Sequence, residues 1–304
     1  MGLELTRDNS GRTQAASFLR SMPWFDAAGR FSVFRTLVLV ALCVPAALVA
    51  WRYTHGALGP RAVNEAVHQI GNWAIRLIFL SLAIAPANRM LRWPALMQVR
   101  RMIGVAAFVY VAAHLMLYVV DEAFDLRKVV TEIVFRIYLT IGFVALLILT
   151  AMAATSTDGM VRRLGGKRWR RLHRTIYLGA LLAVIHFFMQ VKANIDEPLV
   201  MAGLYGWLMG YRALAASRRL RNRLRTWMPA ILGLVAGTMT ALGEALYYGI
   251  KLGAPPMRVL EANFGFALGP RPAVVVAAIC LAVALAGAVR LVQERLGRTA
   301  ARTA

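Results

Sequence analysis

Residues 102–120, MIGVAAFVYVAAHLMLYVV, and residues 175–191, TIYLGALLAVIHFFMQV, contain no Asp, Glu, Lys or Arg, yet each carries one histidine in its second half. Apolar runs of about 18 residues read as membrane spans. An ionisable group at such depth is costly, so it marks a functional site with a partner. The third span of the chain starts near Met102, which places His114 about 18 Å along the helix. The fifth starts near His173, which places His186 about 20 Å along it. In a bundle whose spans alternate in direction these two helices run the same way, so the imidazoles reach similar depth. Two neutral imidazoles at one depth suit the two axial positions of a haem iron. His173 lies about 20 Å lower, at the opposite boundary, where it could serve a second haem.

Working outward, the rest of the chain has the composition of a membrane protein. It is 59% hydrophobic with mean hydropathy +0.58. Further apolar runs cover Thr36–Trp51, Ile137–Thr155, Trp227–Ile250 and Pro272–Val289, with weaker candidates at Trp73–Ala87 and Pro198–Tyr211. Together these predict eight spans. No stretch shows the sustained alternation of a β-barrel strand. The expected fold is therefore all-α, a polytopic helical bundle.

The net charge of +22 has a topological reading. With both termini inside, the segments assigned to the cytoplasm collect Lys and Arg in groups of five, four, six, six and four, against eight in the outer loops. That bias is the positive-inside pattern and predicts N-in, C-in topology. The basic loops also suit anionic membrane lipid. Nucleic acid is not expected as a partner, because spans divide the cations into separate loops. Residues 1–30 show no compact apolar segment or cleavage site of a secretory signal. Cys43 and Cys280 lie in separate spans and form no CxxCH attachment site, so any haem is non-covalent, of b type.

Other polar residues have two readings each. His68, at the outer end of the second span, could be a further ligand or touch a propionate, or be a solvated interfacial histidine. His55 reads as surface. Arg101, beside Arg100, stands thirteen residues before His114, where a stacked inner haem would want a ligand. Arginine is a poor ligand but a good propionate partner. Thirteen residues turn a helix by about 220° net, so His173 and His186 share no face of one helix; two haems in different grooves, or a helix that begins just after His173, would absorb that. Arg76 and Arg136 could meet outer propionates or snorkel to head groups. Glu244 reads as a relay group or as a boundary acid.

At these residues the chain resembles the ferric-reductase-like transmembrane superfamily. Within it, the chain is similar to the MsrQ/YedZ family, haem-binding membrane subunits of the periplasmic protein-methionine-sulfoxide reductase system. The similarity rests on Arg100-Arg101-Met102-Ile103-Gly104, His114-Leu115, Tyr118 and Arg136-Ile137-Tyr138-Leu139-Thr140-Ile141-Gly142. It continues through Thr155-Ser156, Leu164-Gly165, Trp169, Leu172-His173, Tyr177, His186 and Val191-Lys192. It spans roughly residues 36–212, a six-helix core that follows a cytoplasmic segment 1–35. Residues 213–304 add a basic loop and two further spans.

The resemblance implies haem at His114, His173 and His186, one or two b haems, and association with FMN. It implies an electron-transfer subunit in the bacterial inner membrane rather than the catalytic subunit. The donor would be the quinone pool or a cytosolic flavin reductase. The acceptor would be a periplasmic molybdenum-containing subunit that reduces methionine sulfoxide in oxidised proteins. The alternatives are a stand-alone ferric or quinol reductase cytochrome, and a transporter or scaffold with structural histidines. No GxGxxG fingerprint in a βαβ setting accompanies the spans, which disfavours unaided oxidation of NAD(P)H.

Overall fold

The computed structural model describes residues 22–303 apart from 27, 192–193, 218, 221–226 and 266–268. Lys192 and much of the Arg212–Arg225 loop therefore lie outside the described residues. The described chain is helical: α1 (Val33–Thr54), α2 (Ala62–Leu91), α3 (Ala95–Asp121), α4 (Leu126–Phe135), α5 (Ile137–Ala154) and α6 (Asp158–Leu164). They are followed by α7 (Gly166–His173), α8 (Ile176–Gln190), α9 (Asp196–Ala216), α10 (Met228–Leu252), α11 (Pro256–Ala262) and α12 (Pro272–Thr303). Seven segments are long and apolar enough to cross a membrane: α1, α2, α3, α5, Gly166–Gln190, α10 and Pro272–Leu296. The chain is a multi-pass membrane protein. The eighth expected span, α9, is not among the seven. Its 21 residues still form a helix of about 31 Å, and it packs inside the bundle against α2, α8, α10 and α12.

Helix ends follow local chemistry. The Ser32 and Asp125 side chains accept from Arg35 N and Lys128 N, capping α1 and α4. Proline opens α10, α11 and α12, where its missing N–H costs nothing. Gly253 ends α10 at φ 65°. Inside α1, Pro45 is met by Tyr110 of α3. The tyrosine hydroxyl donates to Leu42 O at 2.7 Å and accepts from Ala46 N at 3.0 Å.

Contacts at the two ends of the bundle fix an alternating course. At one end Phe34 packs on Trp93 with centroids 5.4 Å apart, and Arg92 pairs with Glu294. At the same end Arg101 donates to Asp158 at 2.5 Å, and Trp207 Nε1 donates to Pro229 O at 3.3 Å. The start of α1 and the C-terminal part of α12 thus share one side. At the other end Asn64 donates to Asp121 at 3.1 Å, Arg76 Nε to Glu197 at 2.8 Å, and Arg271 pairs with Glu244.

Three departures from the sequence reading have physical causes. The second span is a 30-residue helix rather than the short run around Arg76. Glu197 neutralises that arginine, and its guanidinium lies over the Trp73 ring at 4.9 Å. The Asp121–Glu132 loop contains α4, an amphipathic helix that buries Val129 and exposes Leu126, Val130, Val134 and Phe135. The basic Arg162–Arg171 loop forms two short helices, and the chain breaks helical form at Arg174–Thr175 before α8 begins. A helix that begins after His173 is one condition under which the offset of about 220° between His173 and His186 no longer applies.

The tail packs through small residues. Gly233 faces Cys280, Gly237 faces Ala277 and the Ala273 carbonyl, and Gly287 faces Met90 of α2. Close helix approach at such positions is the usual packing device within membranes.

Candidate functional site

His114 on α3 and His186 on α8 meet across the bundle core, their ring centroids 6.3 Å apart and their planes at 82°. Each ring is tethered by the same kind of bond. His114 Nδ1 lies 2.8 Å from the Val67 carbonyl of α2, and His186 Nδ1 lies 2.8 Å from the Tyr138 carbonyl of α5. A carbonyl can only accept, so both Nδ1 atoms carry the proton and both Nε2 atoms keep a lone pair. This is how proteins orient metal-binding histidines: one ring nitrogen is held by a backbone carbonyl so that the other faces the metal.

The spacing tests the fit to iron. A metal–imidazole bond of about 2.0 Å, with about 1.1 Å from nitrogen to ring centre, makes about 6.2 Å for two imidazoles on opposite sides of one ion. The observed separation matches. The two rings line one cavity between α2, α3, α5 and α8 that holds about 1160 Å³ of space free of atoms, part of it open to the surroundings. Towards the Asn64–Asp121 end it carries His68, Asn72, Tyr118 and Gln190, and deeper in the bundle it is walled by Ile75, Ile78, Leu146 and Leu149. Such an amphiphilic slot suits a flat apolar macrocycle with an acidic edge. The donor set and the cavity fit a haem.

The other expected residues fall in three places. His68 lines the cavity. Arg136 does not: it caps the start of α5, pairs with Glu132 at 2.9 Å and donates to the Tyr138 hydroxyl at 3.1 Å. Tyr118, one turn beyond His114, donates to Glu132 as well, so the acid ties α3 to α4. Arg76 is held by Glu197, which also accepts from cavity-lining Asn72 at 3.4 Å.

His173 stands apart from the cavity. It stacks on Trp169 with centroids 3.9 Å apart, and its Nε2 lies 3.3 Å from the Thr155 hydroxyl. Arg100 and Arg101 are near enough for their charges to act on it. The Asp158 carboxyl is held below its usual range by the hydrogen bond and charge of Arg101. Both groups of that pair are well exposed, so it contributes little to stability. Among the described residues no cluster of three or more His, Cys, Asp or Glu could hold a bare metal ion. His55 is a surface residue bonded to Trp51 O at 2.8 Å.

Two features escaped the sequence reading. The carbonyls of Val67 and Tyr138 are invisible in one dimension, because any residue can supply them. Gly71 and Gly142, each four residues after one of those carbonyls, line the cavity beside the rings. The repeated interval is a signal that only the positions of the carbonyls make legible.

A family model described as "Ferric reductase like transmembrane component" matches residues 70–184, which contain His114 and His173 and end just before His186. A Rhodospirillum rubrum protein named "Protein-methionine-sulfoxide reductase heme-binding subunit MsrQ" is 41% identical over 198 residues, covering 65% of this chain and 93% of the relative. Proteins of the same name from Caulobacter vibrioides and Xanthomonas oryzae pv. oryzae are 38% identical over 183 residues and 39% identical over 207. They are covered over 87% and 93% of their lengths, and cover 60% and 65% of this chain. No solved structure matches.

Proposed function

Because this chain belongs to the family of protein-methionine-sulfoxide reductase heme-binding subunits MsrQ, and is with them a membrane electron-transfer subunit, we propose that it carries respiratory electrons outward through a b haem held by His114 and His186. The observation that carries this reading is the pair of imidazoles 6.3 Å apart, each tethered through Nδ1. A haem bound there supplies a one-electron carrier, cycling between ferric and ferrous iron.

The chain's own residues do the rest. His114 and His186 would hold the iron through Nε2. Ile75, Ile78, Leu146 and Leu149 exclude water from the inner part of the slot. Asn72, Tyr118, Gln190 and His68 offer hydrogen bonds at its outer part, where propionates would lie. Residues 36–212 form the redox core, and 213–304 an accessory tail. The donor is the quinone pool or a cytosolic flavin reductase. The acceptor is a periplasmic molybdenum-containing subunit that reduces methionine sulfoxide in proteins. No step here depends on the FMN that family resemblance implies.

His173, with Arg100 and Arg101 beside it, supports a second redox site on the basic side. Optical spectra of purified full-length protein test both parts of the reading. A Soret band and a reduced-minus-oxidised α band are expected, with a haem-to-protein ratio near two that falls towards one in His173→Ala. Absence of both bands in protein from haem-replete cells would refute the cytochrome. An unchanged ratio in His173→Ala would leave that histidine a structural role only.

The orientation rests on the charge bias. In a background without Cys43 and Cys280, Arg127→Cys on α4 should react with an impermeant thiol reagent from outside. Lys167→Cys on α7 should react only after the membrane is opened. The reverse pattern would invert the bundle and turn electron flow inward.

A further inference from the structure

Glycine inside a helix costs stability relative to alanine, so a helical glycine facing a functional ring calls for a reason. A Cβ on Gly71 would stand 2.8 Å from His114 Nδ1 and 2.9 Å from its Cε1. A Cβ on Gly142 would stand 2.9 Å from both Cε1 and Nδ1 of His186. Contacts under 3 Å are not tolerated, and neither ring can swing away without breaking its 2.8 Å bond to Val67 O or Tyr138 O.

The interval explains the choice of residue. In an α-helix the carbonyl of residue i points at the N–H of residue i+4, so the side chain at i+4 stands beside that oxygen. Gly71 follows Val67 by four and Gly142 follows Tyr138 by four. A side chain at either place would cover the carbonyl. Without one, the second lone pair of the oxygen is open to a donor from another helix. The same arrangement occurs twice, on α2 facing α3 and on α5 facing α8. Each histidine therefore has its own carbonyl and its own glycine.

We propose that Gly71 and Gly142 are positioning residues for the two imidazoles: each leaves the gap through which a histidine reaches a helix carbonyl, which fixes its tautomer and holds the two ring planes nearly perpendicular. The proposal rests on the haem reading above and adds to it a cause for the ring geometry. Perpendicular axial imidazoles give ferric low-spin haem a strongly anisotropic paramagnetic resonance spectrum dominated by one large g value. Near-parallel rings give the ordinary rhombic spectrum instead. The wild-type protein should show the first kind.

The test uses full-length protein with Gly71→Ala, Gly142→Ala and, as control, Gly104→Ala. Gly104 lies on α3, and an added Cβ there meets nothing within 4 Å. Protohaem is titrated into each apo-protein, and the resonance spectrum and midpoint potential of the loaded form are recorded. Disturbing a group that orients a metal-bound histidine typically costs about 10- to 100-fold in affinity. A loss of that size is expected for Gly71→Ala and Gly142→Ala, with the large-g signal lost or moved towards the rhombic type. Gly104→Ala should behave as wild type.

Wild-type affinity and an unchanged resonance spectrum in both variants would overturn the positioning role while leaving the haem reading intact. Absence of haem binding in the wild type would instead refute that reading before any variant is made. If Gly71→Ala fails to accumulate, the same change is made in His114→Gly protein supplied with free imidazole, where no tethered ring meets the methyl group. Recovery of accumulation and haem binding there supports the proposal. Failure in that background as well would assign Gly71 to helix packing alone and overturn its role.

Discussion

Replacing either His114 or His186 with alanine is expected to abolish the low-spin haem spectrum in protein that still reaches the membrane. The two ring centroids lie 6.3 Å apart in one cavity, the spacing two imidazoles on one iron would have, so removing either would leave at most a five-coordinate, high-spin centre. The loss should exceed the about 10- to 100-fold typical of disturbing only a supporting group. The remaining histidine keeps its carbonyl tether, so the two variants should give similar spectra rather than one severe and one mild defect. Optical difference spectra and haem content per inserted protein provide the measurement. Normal low-spin spectra in both variants would refute the pairing and return the histidines to a purely structural role.

The second large effect is expected far from the haem. Glu244 of α10 is fully buried, and its carboxylate is met by Arg271, just before α12, and by Asn263 Nδ2 at 3.3 Å. Glu244→Ala leaves the mostly buried Arg271 charge without its carboxylate. Breaking a buried pair from one side typically costs about 3–5 kcal/mol. Glu244→Gln should cost less, because its amide oxygen still accepts from Arg271. Adding Arg271→Ala to Glu244→Ala should recover part of the loss, since no unpaired charge then remains. Thermal unfolding in detergent measures the cost, with the Soret band recorded alongside. Early melting with an intact haem spectrum below the transition is expected. A Glu244→Ala protein as heat-stable as wild type would show that the pair does not clamp the tail. The pairing also explains how an acid is accommodated in the seventh apolar run of the sequence.

The sequence made some of this legible because of contrast. His114 and His186 stand out since no Asp, Glu, Lys or Arg shares their runs, and depth counted along two co-directional helices brought them together. Arg76 did the opposite. It hid most of α2 because its partner, Glu197, is 121 residues away, and hydropathy cannot see a charge neutralised at that distance. α9 reads weakly for a related reason: Asp196 and Glu197 open it, and Glu197 is spent on α2. The helix α4 passed as loop although Asp125 caps it and Val129 and Ile133 recur at helical spacing; its polar residues masked that period. Gly71 and Gly142 belong to a deeper class of omission. Their meaning lies in a ring from another helix, and a lone glycine in an apolar run otherwise reads as packing.

The paired tethers also bear on how such a site is made. Val67 and His114 are 47 residues apart, and Tyr138 and His186 are 48 apart. In each case the helix that orients the ring is the membrane span just before the one that carries it. Each half of the site is thus local in the chain, closed by a loop whose entropy cost is modest and nearly equal for both. During synthesis the first half is complete before the second has left the ribosome. The closure still missing then joins the two halves, and an iron held by both histidines would favour it.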